Sequence, residues 1–378
     1  MSPPSRRPPA SPPRRAKTQD RTRDLRTVRL LSAWFLTHQR PLPWRATDPA
    51  RGTGYRDPYR SLVSEFMLQQ TQVSRVLEKF EPFLRRFPTV HHLAAAHQDD
   101  VLAAWTGLGY YRRAKLLHAA AKAITERHAG NVPETTEQLA ALPGVGRYTA
   151  GAIASMAHGR AEPLVDTNVV RVILRLEGRD IAPAQALPWV WKRAETLALL
   201  AHRTPATSAG IFNEALMELG ATLCNRQPSC GQCPLADLCR ARAIGRQLQI
   251  PRPTPKKART PIVHATLLVR GPKSSTLLEQ RPAKGLWAGL WQPPTLECPA
   301  DKAPRTAAAL ARKLGLTVTR TTRADDFTFH TTHREVRFVC WHAAVTRALP
   351  TPARRWVQQA DLPALAMSSP VRRLLGLS

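Results

Sequence analysis

Apolar residues recur at three- and four-residue spacing from Leu25 to about Gln247, and this period predicts mainly α-helical structure. Gly and Pro residues separate the apolar segments, as expected for joints between helices. We therefore expect a helical domain over residues 25–247. The predicted helices are Leu25–His38, Tyr59–Phe80, Thr89–Leu93, Asp99–Leu108, Arg112–His128, Thr135–Leu142 and Ala209–Leu219.

The period changes after residues 248–261, which are proline-rich and basic and predict an extended linker at a domain boundary. The alternating pattern beyond this linker predicts a small α+β domain over residues 262–378 with one helix, Ala303–Leu314. No convincing internal repeat is seen. The predicted strands are Ile262–Val269, Thr276–Gln280, Phe327–Thr331 and Glu335–His342.

Length and charge add a partner class to this picture. A chain of 378 residues favours two domains. A formal net charge of +29 and a pI near 11.3 favour a polyanionic partner, with nucleic acid as the first candidate, although the Ala-, Arg- and Pro-rich composition contributes to the charge. Residues 1–24 are basic and proline-rich and predict a disordered tail. No apolar run has the length of a membrane span or suits a signal peptide, so we expect a cytoplasmic protein.

Four of the six cysteines, Cys224, Cys230, Cys233 and Cys239, follow the pattern C-x5-C-x2-C-x5-C. Because no secretory signal precedes them, this spacing predicts a metal site rather than disulfides. Structural zinc sites usually use two short C-x2-4-C knuckles with a longer spacer. So compact a loop suits a 4Fe–4S cube better, with zinc and a metal-free loop as alternatives.

The stretch 142–153 predicts two helices joined by a Pro-Gly-Val-Gly hairpin, with Asp166 twenty positions beyond Gly146. We expect Gly144 and Gly146 to adopt backbone angles closed to other residues and to let a phosphate approach the main-chain N–H groups. The following helix would direct its positive end at the same anion. An ordinary turn followed by a helix-capping aspartate explains the same residues.

The hairpin, Asp166 and the four-cysteine loop together resemble the endonuclease III superfamily of DNA glycosylases. In its bifunctional branch a lysine follows the hairpin as the nucleophile, whereas this chain has Tyr148, which carries no amine. Four further motifs closely resemble the MutY-type adenine DNA glycosylases, and the match runs from about residue 30 to 240 and resumes in the C-terminal domain. These motifs are Pro43-Trp44-Arg45, the segment 64–73 (SEFMLQQTQV), the segment 105–111 (WTGLGYY) and the segment 212–221 (FNEALMELGA).

The resemblance implies a helix-hairpin-helix glycosylase domain with an iron–sulfur loop at 224–239, followed by a Nudix-like domain. It implies a monomeric, nucleoid-associated enzyme of base excision repair. The implied substrate is double-stranded DNA with adenine opposite 8-oxoguanine or guanine. The implied reaction is hydrolysis of the N-glycosidic bond after the base has been flipped and protonated, without strand cleavage.

The resemblance also assigns roles at the reacting base. It implies that Glu65 is the general acid and then the base that activates water, that Asp166 stabilises or captures the sugar cation, and that Tyr148 and Asn168 position both carboxyls. The chemistry agrees, since a flipped adenine needs a proton and the developing oxocarbenium needs an anion. Glu65 lies on a helix with an apolar face, so burial is expected to raise its pKa, while Asp166 must stay ionised.

Further residues are implied to contact DNA. Leu68, Gln70 and Tyr110 would fill or wedge the base stack, although Gln and Tyr at such positions also occur as plain surface or core residues. The full predicted set is Arg45, Leu68, Gln70, Tyr110, Gly144, Gly146, Phe329 and His333.

The segment 285–294 resembles the Nudix-like domain of MutY-type enzymes. No Asp or Glu lies between Asp301 and Asp325, so magnesium-dependent pyrophosphatase activity is rejected and recognition of the base opposite adenine is expected. The family's usual Phe-Ser-His loop is altered here. Phe329 matches the phenylalanine, His330 and Thr331 follow it, and His333 is the candidate to compensate.

Two rival functions are weighed against this one. A bifunctional endonuclease III-like glycosylase and lyase is disfavoured by Tyr148 and Glu65. A non-catalytic iron–sulfur protein that detects DNA damage is disfavoured by the joint presence of Glu65 and Asp166.

Overall fold

The computed structural model describes residues 14–47, 55–253, 258–271, 274–347 and 353–377. Contacts divide the chain into two compact units, each built from two separate segments. The first unit comprises residues 1–65 and 127–254, and the second comprises residues 66–126 and 255–378. The sequence predicts one domain boundary, at the linker 248–261, because the hydrophobic pattern changes there. The contacts instead place residues 66–126 with the C-terminal segment. The boundary at the linker stays a prediction.

The α-helices lie mostly before residue 245, as the three- and four-residue periodicity predicts. In chain order they are α1 (Arg14–His38), α2 (Pro58–Leu68), α3 (Val73–Arg86), α4 (Val90–Ala95), α5 (Gln98–Ala104), α6 (Arg112–Arg127), α7 (Thr136–Ala140), α8 (Arg147–Met156), α9 (Thr167–Leu176), α10 (Pro183–His202), α11 (Ala209–Ala221), α12 (Arg240–Ala243), α13 (Ala307–Lys313) and α14 (Ser369–Leu374).

The core of the first unit is built around α9, whose sequence TNVVRVILRL is buried on almost every side against α1, α10 and α11. Two side chains set the starts of these helices. Asp166 caps α9 by accepting the N–H of Val169, and Ser208 caps α11 by accepting the N–H of Ile211. The aspartate of interest is therefore fixed by helix capping as well as by its place beside the core.

In the second unit, α3 buries one face at helical spacing through Val76, Phe80, Phe83 and Leu84. This unit also contains the helices α4, α5, α13 and α14, most of α6, and all the strands. Its strands are β1 (Thr260–Val269), β2 (Ser275–Gln280), β3 (Trp291–Gln292), β4 (Thr295–Cys298), β5 (Thr317–Arg323), β6 (Phe327–His330), β7 (Arg334–Arg347) and β8 (Arg354–Gln358).

The strands form two sheets. One has the order β4-β1-β7-β5, with β6 also paired to β7, and the other has the order β3-β2-β8. β1 and β7 run parallel, from Thr260 opposite Arg334 to Val269 opposite Ala343, and the other pairs are antiparallel. β1 is buried from residue 262 to 269 because strands flank it and α13 packs on the sheet.

The predicted fold class, a helical glycosylase domain with a small α+β domain, is confirmed. Two details are corrected. The predicted helix Tyr59–Phe80 is broken, because the chain turns between Leu68 and Val73 with Gln70 in the left-handed region (φ 53). Apolar spacing continues through this turn, so periodicity alone could not locate it.

The predicted disordered tail of residues 1–24 is wrong for its second part, since α1 begins at Arg14; residues 1–13 lie outside the described range. Distant partners hold the end of this segment. Arg23 pairs with Glu177 at 3.0 Å, and Asp24 pairs with Arg193. The linker prediction also falls partly outside the described residues, at 254–257, while β1 already begins at Thr260.

Among the described residues, no helix has both the length and the apolar character needed to cross a bilayer.

Candidate active site

Glu65 lies on α2 between fully buried apolar residues, and only 3% of it is exposed. Its Oε2 is buried without a hydrogen-bond partner among the described residues. Burial raises the pKa of Glu65 to about 7, against the lowering effects of the Arg56 guanidinium and the Tyr148 hydroxyl; Asp166 raises it further. A carboxyl with this pKa is partly protonated at neutral pH, which suits a general acid.

Both oxygens of Asp166 accept hydrogen bonds, whereas Oε2 of Glu65 accepts none from the described residues. One oxygen accepts the Val169 N–H at 2.7 Å and the other accepts Asn168 Nδ2 at 3.0 Å. Burial raises the pKa of Asp166 above its ordinary value, while these hydrogen bonds oppose the rise. The two carboxyls thus differ in their surroundings as the chemistry requires, although the direction of the Asp166 shift is upward.

Asn168 connects Asp166 to a longer line of hydrogen bonds. Its Oδ1 accepts Arg171 Nη2 at 2.8 Å, and Arg171 Nε donates to the carbonyl of Cys224 at 2.8 Å. Gly220 on α11 allows α11 to pack closely against Asn168, since a Cβ at residue 220 would lie 2.7 Å from the Cβ of Asn168. Arg171 is not among the predicted site residues, because no local pattern distinguishes it from a surface arginine.

Tyr148 is the second residue of α8 and is half-buried against the core of the first unit. Its hydroxyl donates to the sulfur of Met217 at 3.3 Å. Burial raises the pKa of Tyr148 well above its ordinary value, with the Glu65 and Asp166 carboxyls adding to the rise. The predicted group of Glu65, Tyr148, Asp166 and Asn168 is therefore brought together within one unit.

The hairpin between α7 and α8 has one glycine of the expected kind. Gly144 adopts the left-handed region (φ 78), but Gly146 is extended (φ −90) at the start of α8, so the predicted backbone reason for Gly146 is wrong. Its Cβ position has no atom within 4 Å, and no side chain caps α8. Open space, rather than an unusual backbone angle, is what Gly146 provides.

A buried ion-pair network that includes Arg56 and Glu214 acts on the charge of Glu65. Arg56 pairs with Glu214, and Arg45 bonds Glu214 at 3.1 Å and Glu218 at 2.8 Å. Arg40 adds a bidentate pair to Glu218, whose pKa falls to about 2 because the hydrogen bonds from Arg40 and Arg45 outweigh burial. The charge of Arg45, predicted to contact DNA, is therefore engaged inside the protein, and its DNA contact stays a prediction.

The four cysteines of the loop are free thiols and are half-buried. Arg175, a buried arginine of α9, donates to Cys224 Sγ at 3.4 Å and to the carbonyl of Asn225 at 2.6 Å. The Cys239 thiol donates to the carbonyl of Arg175 at 3.4 Å. The loop is thus tied to the helix that begins at Asp166.

In the second unit, a cavity of 1090 Å³ brings several predicted DNA contacts together. Gln70, Tyr110 and Phe329 line it, with His330 and Thr331. Leu68 and His333 are not among its lining residues, so the suggestion that His333 takes over at this loop is not supported by its position. His330 instead bonds Glu335 at 3.2 Å.

Trp287, which the sequence analysis placed in a motif without giving it a role, forms part of the cavity wall. Its ring stacks on Phe338 with centroids 6.0 Å apart and meets the ring of buried His264 edge-on at 5.3 Å. Its φ of 54 is unusual for a bulky side chain. α13, with the sequence AAALARK, carries Arg312 and Lys313 and no acidic residue.

Comparisons with known proteins agree with this geometry. Residues 63–186 match the HhH-GPD superfamily of base excision DNA repair proteins, and residues 265–377 match the NUDIX domain. The chain is similar to the adenine DNA glycosylase of Homo sapiens, with 33% identity over 400 residues, covering 91% of this chain and 72% of the relative. It is similar to the adenine DNA glycosylase of Mycobacterium tuberculosis, with 48% identity over 217 residues, covering 57% of this chain and 67% of the relative.

The fold is also similar to that of a thermostable thymine-DNA glycosylase, with a TM-score of 0.51 and 27% identity, covering 60% of this chain and 99% of that one. The extent of the human match settles the family, and the buried Glu65 and half-buried Asp166 carboxyls agree with it. The chain belongs to the MutY-type adenine DNA glycosylases of the HhH-GPD superfamily and is a DNA glycosylase of base excision repair.

Proposed function

We propose that this glycosylase removes adenine paired with 8-oxoguanine or guanine by hydrolysing the N-glycosidic bond, without cutting the strand. The observation that carries the proposal is the state of Glu65, a buried carboxyl with one unpartnered oxygen and a pKa of about 7. Adenine leaves poorly unless it is protonated, so an acid held neutral at physiological pH is the group that the reaction needs.

In the first step, protonated Glu65 donates its proton to a ring nitrogen of the flipped adenine. The bond between the sugar C1′ and the base then breaks, its electron pair leaves with the adenine, and the sugar becomes an oxocarbenium ion. The unpartnered Oε2 supports this role, because an incoming base supplies the acceptor that the protein lacks.

In the second step, the Asp166 carboxylate stabilises the cation at C1′. Its donors, the Val169 N–H and the Asn168 amide, favour the anionic form that this role requires. Glu65, now a carboxylate, accepts a proton from water as the water oxygen attacks C1′. The acid is thereby restored, and the products are free adenine and an abasic sugar.

Tyr148 is the reason why we propose base removal without lyase activity. A lyase needs an amine that forms a Schiff base with the sugar, and a phenol cannot form one. Burial beside two carboxyls keeps the Tyr148 hydroxyl protonated. We therefore assign Tyr148 to positioning Glu65 rather than to attack on the sugar.

The base opposite adenine is proposed to be read in the second unit. The cavity there is large enough for a base and carries an aromatic wall in Phe329 and Trp287. Thr331 provides a hydroxyl at its margin, which bonds the carbonyl of Arg334 at 3.2 Å. Stacking with a limited number of hydrogen bonds favours recognition of an unpaired purine.

The four-cysteine loop is proposed to hold a 4Fe–4S cluster. Its thiols are free and partly buried, which fits a soft-metal site. No three His, Cys, Asp or Glu side chains in the described part of the chain converge as they would around one ion. The sequence spacing C-x5-C-x2-C-x5-C suits an iron–sulfur cluster better than zinc, because structural zinc sites usually use two short C-x2-4-C knuckles. Cys224, Cys230, Cys233 and Cys239 would hold the cluster, which would cross-link the loop.

The test of the function uses a duplex with one adenine opposite 8-oxoguanine and a second duplex with adenine opposite guanine. Breakage only after hot alkali supports base removal without lyase activity. Breakage without alkali would favour the bifunctional rival, and an intact strand under both treatments would refute the proposal for these substrates.

The acid role is tested with the variant Glu65→Gln in the full chain. We expect excision to fall by about 100-fold or more while binding to the same duplex is retained, because the variant keeps the shape of the side chain and loses the transferable proton. Turnover at the wild-type rate would exclude Glu65 as the acid.

A further inference from the structure

Two of the three residues predicted to fill or wedge the base stack, Gln70 and Tyr110, share an unusual backbone. Gln70 follows α2 with φ 53, and Tyr110 precedes α6 with φ 47, both in the left-handed region. Such conformations cost free energy in residues other than glycine and persist only where surrounding contacts impose them. Both side chains line the cavity of the second unit.

One buried guanidinium contacts both turns. Arg113, on the first turn of α6, is 6% exposed. Its Nη1 donates to the carbonyls of Phe66 at 2.8 Å and Met67 at 2.7 Å, in the last turn of α2. Its Nη2 donates to the Thr71 hydroxyl at 2.8 Å, one residue after Gln70.

The same Nη2 also reaches the second turn. It donates to the carbonyls of Leu108 and Gly109, each at 3.1 Å, immediately before Tyr110. The guanidinium carbon lies 5.5 Å from the centre of the Tyr110 ring and 5.4 Å from that of Trp105. Arg113 is therefore bonded to the backbone before Tyr110 and packed against its ring.

The partners of Arg113 are unusual for a buried charge. Among the described residues no carboxylate pairs with it, and its Nε has no partner. Burial lowers its pKa to about 10. A charge buried without a carboxylate costs stability, so the benefit must lie in the geometry it imposes. A planar fork spans two turns in a way that a lysine ammonium does not.

We propose that Arg113 is a positioning residue that fixes Gln70 and Tyr110 relative to each other, so that both enter the duplex together when adenine is extruded. The extrusion rests on the proposed function. The arrangement of the two turns does not, since it is a property of the free protein.

The test compares Arg113→Met and Arg113→Lys with the wild type in the full chain. In the free protein, amide hydrogen exchange should quicken at residues 69–72 and 108–111 together. On a duplex with 2-aminopurine in place of the target adenine, the fluorescence rise that reports extrusion should be lost, and single-turnover excision of adenine should fall by about 100-fold. The lysine variant should resemble the methionine variant, because it keeps the charge without the fork.

Arg354→Met is the matched control for general destabilisation. Arg354 also lies in the second unit, is 16% exposed at its side chain, and donates to the carbonyl of Leu314 and to Glu279, far along the chain from both turns. At a temperature where all variants are folded, it should keep wild-type extrusion.

Three outcomes would overturn the proposal. They are faster exchange at only one turn or at neither, unchanged extrusion in Arg113→Met, and equal loss of extrusion in Arg354→Met. In single-turnover excision, a combined Gln70→Ala and Arg113→Met variant should lose no more activity than Arg113→Met alone, and additive losses would likewise overturn the proposal. A wild type that does not excise adenine would refute the proposed function, while the exchange data still decide the arrangement of the turns.

Discussion

Glu65 and Asp166 both carry carboxyl groups, and the hydrogen-bond donors around each carboxyl give the two residues different roles. Asp166 receives donors at both oxygens, whereas Glu65 Oε2 receives none. The sequence indicated both residues, because each lies in a recognisable motif. It could not indicate Arg56 or Glu214, since the ion pair that modulates the Glu65 pKa joins residues far apart in the chain.

The first prediction at this scale concerns the pH dependence of excision. If protonated Glu65 is the acid, the single-turnover rate should be level below about pH 7 and fall about tenfold per pH unit above it. Because the Tyr148 hydroxyl lowers the pKa of Glu65, Tyr148→Phe should move this midpoint to higher pH, whatever it does to the maximal rate. A midpoint that stays in place or moves to lower pH would contradict the assignment.

The same pKa has a consequence for stability. A pKa of about 7 against an ordinary value of 4.5 means that the folded state holds the Glu65 proton more tightly than the unfolded state. This stabilisation is complete below pH 4.5 and is lost as the pH rises through about 7, a difference of about 3 kcal/mol. Glu65→Gln, which stays neutral, should therefore unfold at a higher temperature than the wild type above pH 7, with the gap closing in acid. An equal gap at every pH would argue against a buried, protonated Glu65.

At the scale of elements, the helices could be predicted from the spacing of apolar residues, but the turns between them could not. The run Tyr59–Phe80 keeps its apolar spacing through the turn at Gln70, because Arg113, which bonds this turn, is more than forty residues away. The exposed edge strand β5 was missed for a related reason. Its residues Thr317–Arg323 are mostly exposed and lack the alternation that predicts strands.

Helix packing yields a prediction from two glycines of α11. Gly220→Ala would place a Cβ 2.7 Å from the Cβ of Asn168, and Gly210→Ala would place one 2.5 Å from the carbonyl oxygen of Ser155. Both substitutions should destabilise the protein by about 1–3 kcal/mol through overpacking. Only Gly220→Ala should reduce excision per folded molecule, since Asn168, unlike Ser155, donates a hydrogen bond to Asp166.

Thermal unfolding and single-turnover excision, measured on the same preparations, check this pair of variants. Equal loss of excision in both would show that overpacking of α11 acts generally rather than through Asn168.

At the scale of the whole molecule, the net charge of +29 is a poor guide to the number of phosphates contacted. Arg40, Arg45, Arg56 and Arg193 are all engaged in ion pairs with buried or half-buried carboxylates. Their charges are therefore not available to a polyanion. The phosphate contacts must come from exposed cations, with backbone N–H groups such as those near Gly146.

The matching prediction concerns salt. Binding to undamaged duplex should weaken steeply with salt, with a slope that corresponds to about 6–10 neutralised phosphates rather than to the formal charge. Fluorescence anisotropy over a salt series measures this slope. Glu65→Gln should give the same slope, because it changes no exposed cation. A slope near the formal charge would mean that the internal ion pairs open on binding.

The interleaving of the two units determines the order in which this chain could fold during synthesis. Residues 66–126 leave the ribosome long before the segment 255–378 that completes their unit, and β1 lacks its parallel neighbour until residues 334–343 have followed. The edge of β1 that pairs with β7 therefore stays uncovered until residues 334–343 have been made. Long-range pairings of this kind fold slowly and leave surfaces that aggregate, so the protein is expected to depend on chaperones when it is made at high rate.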